Sequence, residues 1–445
     1  MKKSIFERLT IAQTISFSFL LLVLTGGFLL SLPISSNAGT WTSLWDAFFT
    51  ATSALCVTGQ ITLNTAAHWT PFGKLVILTL IEIGGLGIMG VVSLLFFAIG
   101  KQLNLHQQRI VQESLSLEDL DETRSIIRYV VVTALTIQAV GAFLLALNFI
   151  PRLGVQRGII YGVFHSVSAF CNAGFDLFGN SLISFQHDPY VLIVISLLII
   201  FGGLGFIVWR DLLTLRDNKK LLFHSKVVLM STGILLAVSF ILYFVTESKH
   251  GTFAHLSFGE KLANTFFVTA TPRTAGFSNI DYNDMSSAGL LLTNILMFIG
   301  GASGSTAGGF KITTLVVLLL FYGSTIIGKE PVIFHRSISK SRVQRALFLL
   351  LTSIALITIA IFLLLLTQDL PKGYGLEAVL MEVFSCFGTV GLSLGLTSYL
   401  NSFGKLVLMV LMFMGRVGAV TVIWSLKKTD KESRIHYPEG SVMIG

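Results

Sequence analysis

Four glycines close four similar stretches of this chain: Gly59 in TSALCVTGQ, Gly174 in SAFCNAGFD, Gly276 in ATPRTAGFS and Gly391 in SCFGTVGLS. Aligned on them, the preceding pairs are Val57-Thr58, Asn172-Ala173, Thr274-Ala275 and Thr389-Val390. No carboxylate, thiol or imidazole stands in these tripeptides, so the chemistry on offer is that of the backbone. Rings of carbonyl oxygens replace the hydration shell of a cation without placing full charges in an apolar medium. Turning successive carbonyls to one side needs backbone angles that side chains resist and glycine supplies. All twelve residues are therefore candidate filter residues for a monovalent cation, ligating through their carbonyls. Asn172 is expected to act through its backbone.

A second glycine cluster follows each first one: EIGGLGIMG at Gly84, IFGGLGFIV at Gly202, FIGGASGST at Gly300 and FMGRVGAVT at Gly415. The offsets from the first glycine are 25, 28, 24 and 24 residues. Two registers recurring together four times mark an internal repeat. In repeats one and two the apolar residues after GGLG predict a helix that runs on. Repeat three differs, reading GGASGSTAGGFKITT from Gly300 to Thr314. Five glycines make this a poor helix, since each costs up to about 1 kcal/mol relative to alanine. Such backbone belongs beside protein or water at membrane depth. The candidate gate is Gly300, Gly301, Ala302, Ser303, Gly304, Ser305, Thr306, Ala307, Gly308 and Gly309, with Lys311 and Arg416. Arg416 takes the register of Gly301 in repeat four and needs a partner at this depth. Loop carbonyls, serine hydroxyls and Glu82 are its candidate partners. Lys311 is expected to reach toward the cytoplasm or line an inner vestibule.

These loops need elements that hold them in a membrane. Of 445 residues, 53% are hydrophobic and 12% charged, with mean hydropathy +0.79. Apolar runs over about Ile15–Leu32, Ile126–Ile150, Val227–Val245 and Ala346–Leu366 are long enough to span. The first is long for a signal peptide and completes a repeat, which predicts a retained span. Between each span and its glycine lies a stretch too short to cross, beginning near Ser43, Val155, Gly259 and Tyr374. Each must re-enter, and four such loops are best satisfied on a shared axis. The expected fold is an all-α polytopic membrane protein. Four span–pore-loop–span repeats surround a pseudo-fourfold pore axis, at 1–100, 101–220, 221–328 and 329–445. Segments 1–13, 101–128, 209–226, 323–346 and 427–445 hold 21 of the 31 Lys and Arg residues. That bias predicts cytoplasmic N- and C-termini. It also accounts for the net charge of +8 by topology and lipid contact, without nucleic acid.

Other chemistries fit poorly. Three cysteines, Cys56, Cys171 and Cys386, make neither a disulfide framework nor a metal site. Nine scattered histidines form no nucleophile–base pair, so no enzyme is expected. His165, on the second short helix, reads as a packing or capping residue. A secondary transporter of a small metabolite is the alternative function, but it predicts two inverted halves rather than four copies. Asp176 and Asp281 are candidates for the outer mouth, where they would concentrate cations. Arg273 is expected to point away from the axis, toward loop carbonyls, Glu260 or Asp281. Glu82 is expected to pair with Arg416 or Lys311, or to face a water-filled cavity.

The fourfold span–loop–span pattern with one glycine per loop resembles the Ktr/Trk/HKT superfamily of potassium transporters. Thr389-Val390-Gly391 is also half of the filter signature of potassium channels. TPRTAGF and GGASGSTAGGFK look like the bacterial branch, and the length is similar to its KtrB-type membrane subunits. The resemblance implies potassium as substrate, with sodium as a stimulating ion. It implies a homodimer with one pore per subunit, in a bacterial cytoplasmic membrane. It further implies a cytosolic KtrA-type nucleotide-binding ring, which alone carries the nucleotide. A serine in the first loop would imply sodium permeation; Gly59 implies potassium preference. GRVG, with Arg416 where other repeats have glycine, is the one departure between repeats.

Overall fold

The computed structural model describes residues 10–87, 123–215, 219–419 and 421–422. The inner segments 1–13, 101–128, 209–226 and 427–445, read for their charge, fall wholly or partly outside the described residues.

Repeat one holds α1 (Ile11–Ser31), α2 (Leu44–Leu55) and α3 (Pro71–Leu86). Repeat two holds α4 (Thr123–Leu153), α5 (Val155–Phe170), α6 (Pro189–Gly203) and α7 (Phe206–Leu213). Repeat three holds α8 (Phe223–Glu247), α9 (Phe258–Ala270), α10 (Ser287–Phe298) and α11 (Ile312–Ile327). Repeat four holds α12 (Lys340–Thr367), α13 (Leu376–Gly388) and α14 (Ser402–Val417). A two-residue-per-strand hairpin, Val332–Ile333 with Arg336–Ser337, joins α11 to α12.

Segments of α1, α4, α8 and α12 are long and apolar enough to span, with 20, 25, 25 and 28 residues. Their outer faces carry bare apolar side chains. Phe17, Leu21, Val132, Phe143, Leu351 and Phe362 are all more than half exposed. A contiguous face of that kind belongs against lipid. The short helices α2, α5, α9 and α13 have 12, 16, 13 and 13 residues. At 1.5 Å per residue they reach at most about 24 Å, short of a hydrocarbon core of about 30 Å. They therefore enter and turn back, and their C-terminal halves, with the loops that follow, are among the most buried of the described residues.

The second helices do not run on. α6 and α7 meet at 97°, where Gly205 has φ 94°. α3 and α14 end at the same register, at Gly87 and Gly418. The expectation of a continuous helix through GGLG is corrected here. At the α6 break the reason is visible in hydrogen bonds. The carbonyls of Gly203 and Gly202 accept from the N–H groups of Ala302 (3.0 Å) and Thr306 (3.3 Å), and the Phe206 N–H turns to Gly304 O (2.8 Å). A loop of repeat three thus takes the bonds that would have continued the helix of repeat two.

Candidate functional site

Each short helix stops before its glycine, and the chain then turns alike in all four repeats. φ is positive both at the glycine and two residues earlier: Val57 57° and Gly59 84°, Asn172 61° and Gly174 69°, Thr274 71° and Gly276 74°, Thr389 52° and Gly391 100°. Left-handed residues at alternate positions flip successive peptide planes, the conformation by which a strand presents consecutive carbonyls to one side. Val57, Thr274 and Thr389 are β-branched, for which positive φ is a genuine outlier. Such strain persists where its surroundings over-determine it, and it gathers at functional sites. Here the N–H after the strained residue bonds back five residues. Thr58 donates to Ser53 O (2.8 Å), Ala173 to Ser168 O (2.7 Å) and Val390 to Ser385 O (2.8 Å). In repeat three the five-residue bond starts at the glycine, from Gly276 N–H to Thr271 O (3.4 Å).

The four loops close a ring. A Cβ placed on Gly59 would meet Ala173 O, one on Gly174 would meet Ala275 O, one on Gly276 Val390 O, and one on Gly391 Thr58 O, each closer than 3.0 Å. Each glycine therefore lies against the carbonyl just before the next repeat's glycine, in the order one, two, three, four and back to one. Eleven of the twelve tripeptide residues are buried, and Gly391 is half-buried. The second glycines serve the same packing. Gly84, Gly202 and Gly415 lie against the carbonyls of Leu55, Phe170 and Phe387, at the C-termini of α2, α5 and α13. The negative ends of those helices are thus aimed at the ring.

Residues 299–311 are non-helical and pass beside the ring. Thr306 Oγ1 donates to Phe170 O (3.1 Å), and a Cβ on Gly308 would strike the side chain of Thr389. Ile312 to Thr314, expected in the loop, belong to the first turn of α11. The Gly309 N–H reaches Gly415 O (3.1 Å). Arg416 donates through Nη1 to Thr306 O, and through Nη2 to Gly84 O and to Gly85 O (3.2 Å). One guanidinium thereby pins the loop of repeat three to the end of α3 in repeat one. The loop carbonyl is a partner read from the sequence; Glu82 is not a partner, and the end of α3 was not anticipated. Lys311 Nζ donates to Ala307 O (2.5 Å) within the loop. Lys311, Arg345 and Arg416 line a cavity of about 290 Å³.

The remaining candidates fall as follows. Glu82 accepts from Gln138 Nε2 (3.0 Å) and Cys171 Sγ (3.4 Å) instead of a cation. Arg273 meets neither Glu260 nor Asp281. It is 3% exposed, and its Nη2 reaches Thr232 Oγ1 (3.4 Å). Glu260 instead pairs with His187 (3.0 Å). Asp176 is buried, accepting from the N–H groups of Phe178 (2.8 Å) and Gly179 (2.6 Å), so it braces its loop. Asp281 is exposed and caps Asn283 (2.9 Å). His165 is a backbone brace, with Nδ1 against Tyr161 O (2.7 Å) and Nε2 accepting from Leu177 N–H (3.3 Å). The Asn172 side chain meets Thr274 Oγ1 at 3.1 Å in either amide orientation. The three cysteines are free and buried.

One residue was not singled out by sequence reasoning. Glu382, fully buried on α13, accepts from Gln60, Ser393 and Thr397. An acid in the middle of LEAVLMEVFSC was the available signal.

Four re-entrant loops closed into a ring inside apolar spans define a multi-pass membrane transport protein of the pore-loop class. The model of the TrkH family, cation transport proteins, matches residues 11–435, and the chain belongs to that family. It is 49% identical to the potassium/sodium uptake protein NtpJ of Enterococcus hirae, covering 100% of this chain and 99% of that one. It is 38% identical to the Ktr system potassium uptake protein B of Bacillus subtilis, over 98% and 97% of the two chains. The crystal structure of the potassium transporter TrkH from Vibrio parahaemolyticus superposes with a TM-score of 0.75 at 17% identity, covering 96% and 87%.

Proposed function

We propose that this protein takes up potassium across a bacterial cytoplasmic membrane through the glycine-loop ring. The ion would be held by the carbonyls of the tripeptides ending at Gly59, Gly174, Gly276 and Gly391. The observation that carries this reading is the ring itself: four loops with the same pair of positive φ angles, each glycine seated on its neighbour's carbonyl. That symmetry supplies one carbonyl per repeat at each level, and it leaves no carboxylate in the tripeptides for a divalent ion.

The loop Gly300–Gly309, with Lys311 and Arg416, is the gate in this reading. It is hydrogen-bonded to repeats two and four and, through Arg416, to repeat one. A cytosolic KtrA-type nucleotide-binding ring would act on it, the nucleotide residing on that ring alone; the naming of a relative as part of a Ktr system supports this. Two copies would form a homodimer with one pore each and with N- and C-termini in the cytoplasm. Sodium acts as the stimulating ion, in line with the potassium/sodium name of the Enterococcus relative.

The test is flux. Protein reconstituted in liposomes is assayed for potassium and sodium uptake, alone and with the nucleotide-binding subunit. Potassium uptake exceeding sodium uptake, and lost on Gly59→Ser, is the expected result. Equal uptake of both ions by wild-type protein would remove the filter reading. A pull-down from native membranes that recovers no nucleotide-binding subunit would remove the partner.

A further inference from the structure

The ring has four seams between neighbouring loops, and one of them is built differently. Between repeats four and one, the parts of the chain farthest apart in sequence, a buried carboxylate joins the two loops. Glu382 stands nine residues before Gly391 on α13 and is fully buried. Its Oε1 accepts from Ser393 Oγ (2.5 Å) and from the Thr397 N–H (3.2 Å). Its Oε2 accepts from Thr397 Oγ1 (2.8 Å) and from Nε2 of Gln60. Gln60 is the residue directly after Gly59. Its amide also donates to Thr397 Oγ1 (2.7 Å), and its Oε1 accepts from Ser385 Oγ (3.4 Å). The same Ser385 hydroxyl accepts the N–H of Gly391 (2.9 Å). An unbroken chain of hydrogen bonds thus runs from Gly391, through Ser385, Gln60 and Glu382, to the residues that follow Gly391. At the other seams the loop-to-loop contacts are amide and hydroxyl ones, Asn64 to Gly179 O (2.8 Å), Asn172 to Thr274 (3.1 Å) and Asn283 to Leu394 O (3.5 Å), while the carboxylates that cross there, Glu82 of α3 to Gln138 and Cys171 and Glu260 of α9 to His187, do not join two loops after their glycines.

We propose that Glu382 is a positioning residue for ion selection, which sets the spacing of the first and fourth glycine loops through Gln60. This rests on the filter reading of the ring. Each carboxylate oxygen faces an N–H that can only donate, the Thr397 backbone on one side and the Gln60 amide on the other. Glutamine at 382 has nearly the same shape. Its oxygen must stay on the fixed Thr397 N–H, so its NH₂ faces Gln60, whose amide has to turn over to accept; Gln60 then gives up the bond it accepts from Ser385, the hydroxyl that holds the Gly391 N–H. A buried network rearranged in this way no longer holds the two loops at one spacing. The seam must then open, and the carbonyls of Thr58 and Val390 move with it, because Gly391 packs on Thr58 O and Gly276 on Val390 O.

The experiment uses the full-length chain in liposomes and reads the ratio of potassium to sodium uptake. The shift in melting temperature with KCl against NaCl is read beside it. Glu382→Gln is expected to lower the uptake ratio by about tenfold, the order of one charge-assisted hydrogen bond withdrawn. It should also narrow the gap between the two salts in melting temperature. Adding Gln60→Glu restores one carboxylate and one amide across the seam and should recover most of the ratio. A residue of merely structural importance would lower yield and melting temperature in both salts alike, with the ratio kept. An unchanged ratio in folded Glu382→Gln protein overturns the proposal. If that variant does not fold, Thr397→Val, which removes a hydroxyl and keeps the N–H, carries the test, and an unchanged ratio there overturns it. Wild-type protein with no potassium preference would instead overturn the filter reading.

Discussion

Replacing the four ring glycines by alanine one at a time should not give four equal results. At every site alanine must hold positive φ, which costs about 1–2 kcal/mol for an L-residue. That term is common to all, with φ between 69° and 100°. What separates them is the carbonyl that the new methyl meets. The approach is closest at Gly276 to Val390 O, next at Gly391 to Thr58 O, then at Gly59 to Ala173 O. It is mildest at Gly174, where Ala275 O lies at 2.7 Å and the next atoms at 3.2 and 3.3 Å. Every obstructing atom is backbone, so relief comes only by displacing the neighbouring loop, and with it a carbonyl of the ring. Potassium preference should therefore fall in the order Gly276, Gly391, Gly59, Gly174. Each further ~1.4 kcal/mol of misfit is worth about tenfold in the ratio of affinities. The assay is the initial rate of potassium and of sodium uptake into liposomes at matched protein. Gly233→Ala on α8 is the control, because nothing lies within 4 Å of its added methyl. A potassium preference that survives Gly276→Ala but falls with Gly174→Ala would refute the ring geometry.

Arg416→Gln, or deletion within Ala302–Gly309, should raise potassium flux with the potassium-to-sodium ratio kept; flux that stays at or below wild type in folded protein removes the gate. Lys405 Nζ and Asp46 Oδ1, 2.7 Å apart and both about five-sixths buried, tie α14 to α2. Asp46→Asn should lower the melting temperature, and adding Lys405→Met should recover part of the loss, since an orphaned buried charge costs more than a removed pair. At the N-terminus of α9, the Ser257 hydroxyl and N–H, with His187, hold Glu260 down at about 2. The usual carboxylate value lies above this folded value, so the contribution is present above about pH 4.5 and fades as pH falls toward 2. Ser257→Ala should flatten the dependence of melting temperature on pH in that window; an unchanged slope counts against the cap.

What the sequence shows and what it hides divide along a physical line. The spans and short helices are legible because length and apolarity are local, and α2 and α5 start within a residue of the positions read from pattern alone. The ring glycines are legible because positive φ has a chemical signature in glycine. The partner positions two residues earlier carry the same φ with Val, Asn and Thr, and leave no such signature. A single glycine in an apolar run is equally mute. Its cost of about 1 kcal/mol is small enough that Gly205 reads as an ordinary helix residue, until a loop a hundred residues on takes the hydrogen bonds of Gly202 and Gly203. Arg416 announces that it needs acceptors but not which ones, because the end of α3 lies 332 residues away. Glu382 and Gln60 are 322 residues apart, and neither alone looks like more than one polar residue in an apolar stretch. The hidden features are therefore the contacts between repeats. In the proposed function, selectivity and gating depend on those contacts, since a repeat alone holds a quarter of a ring.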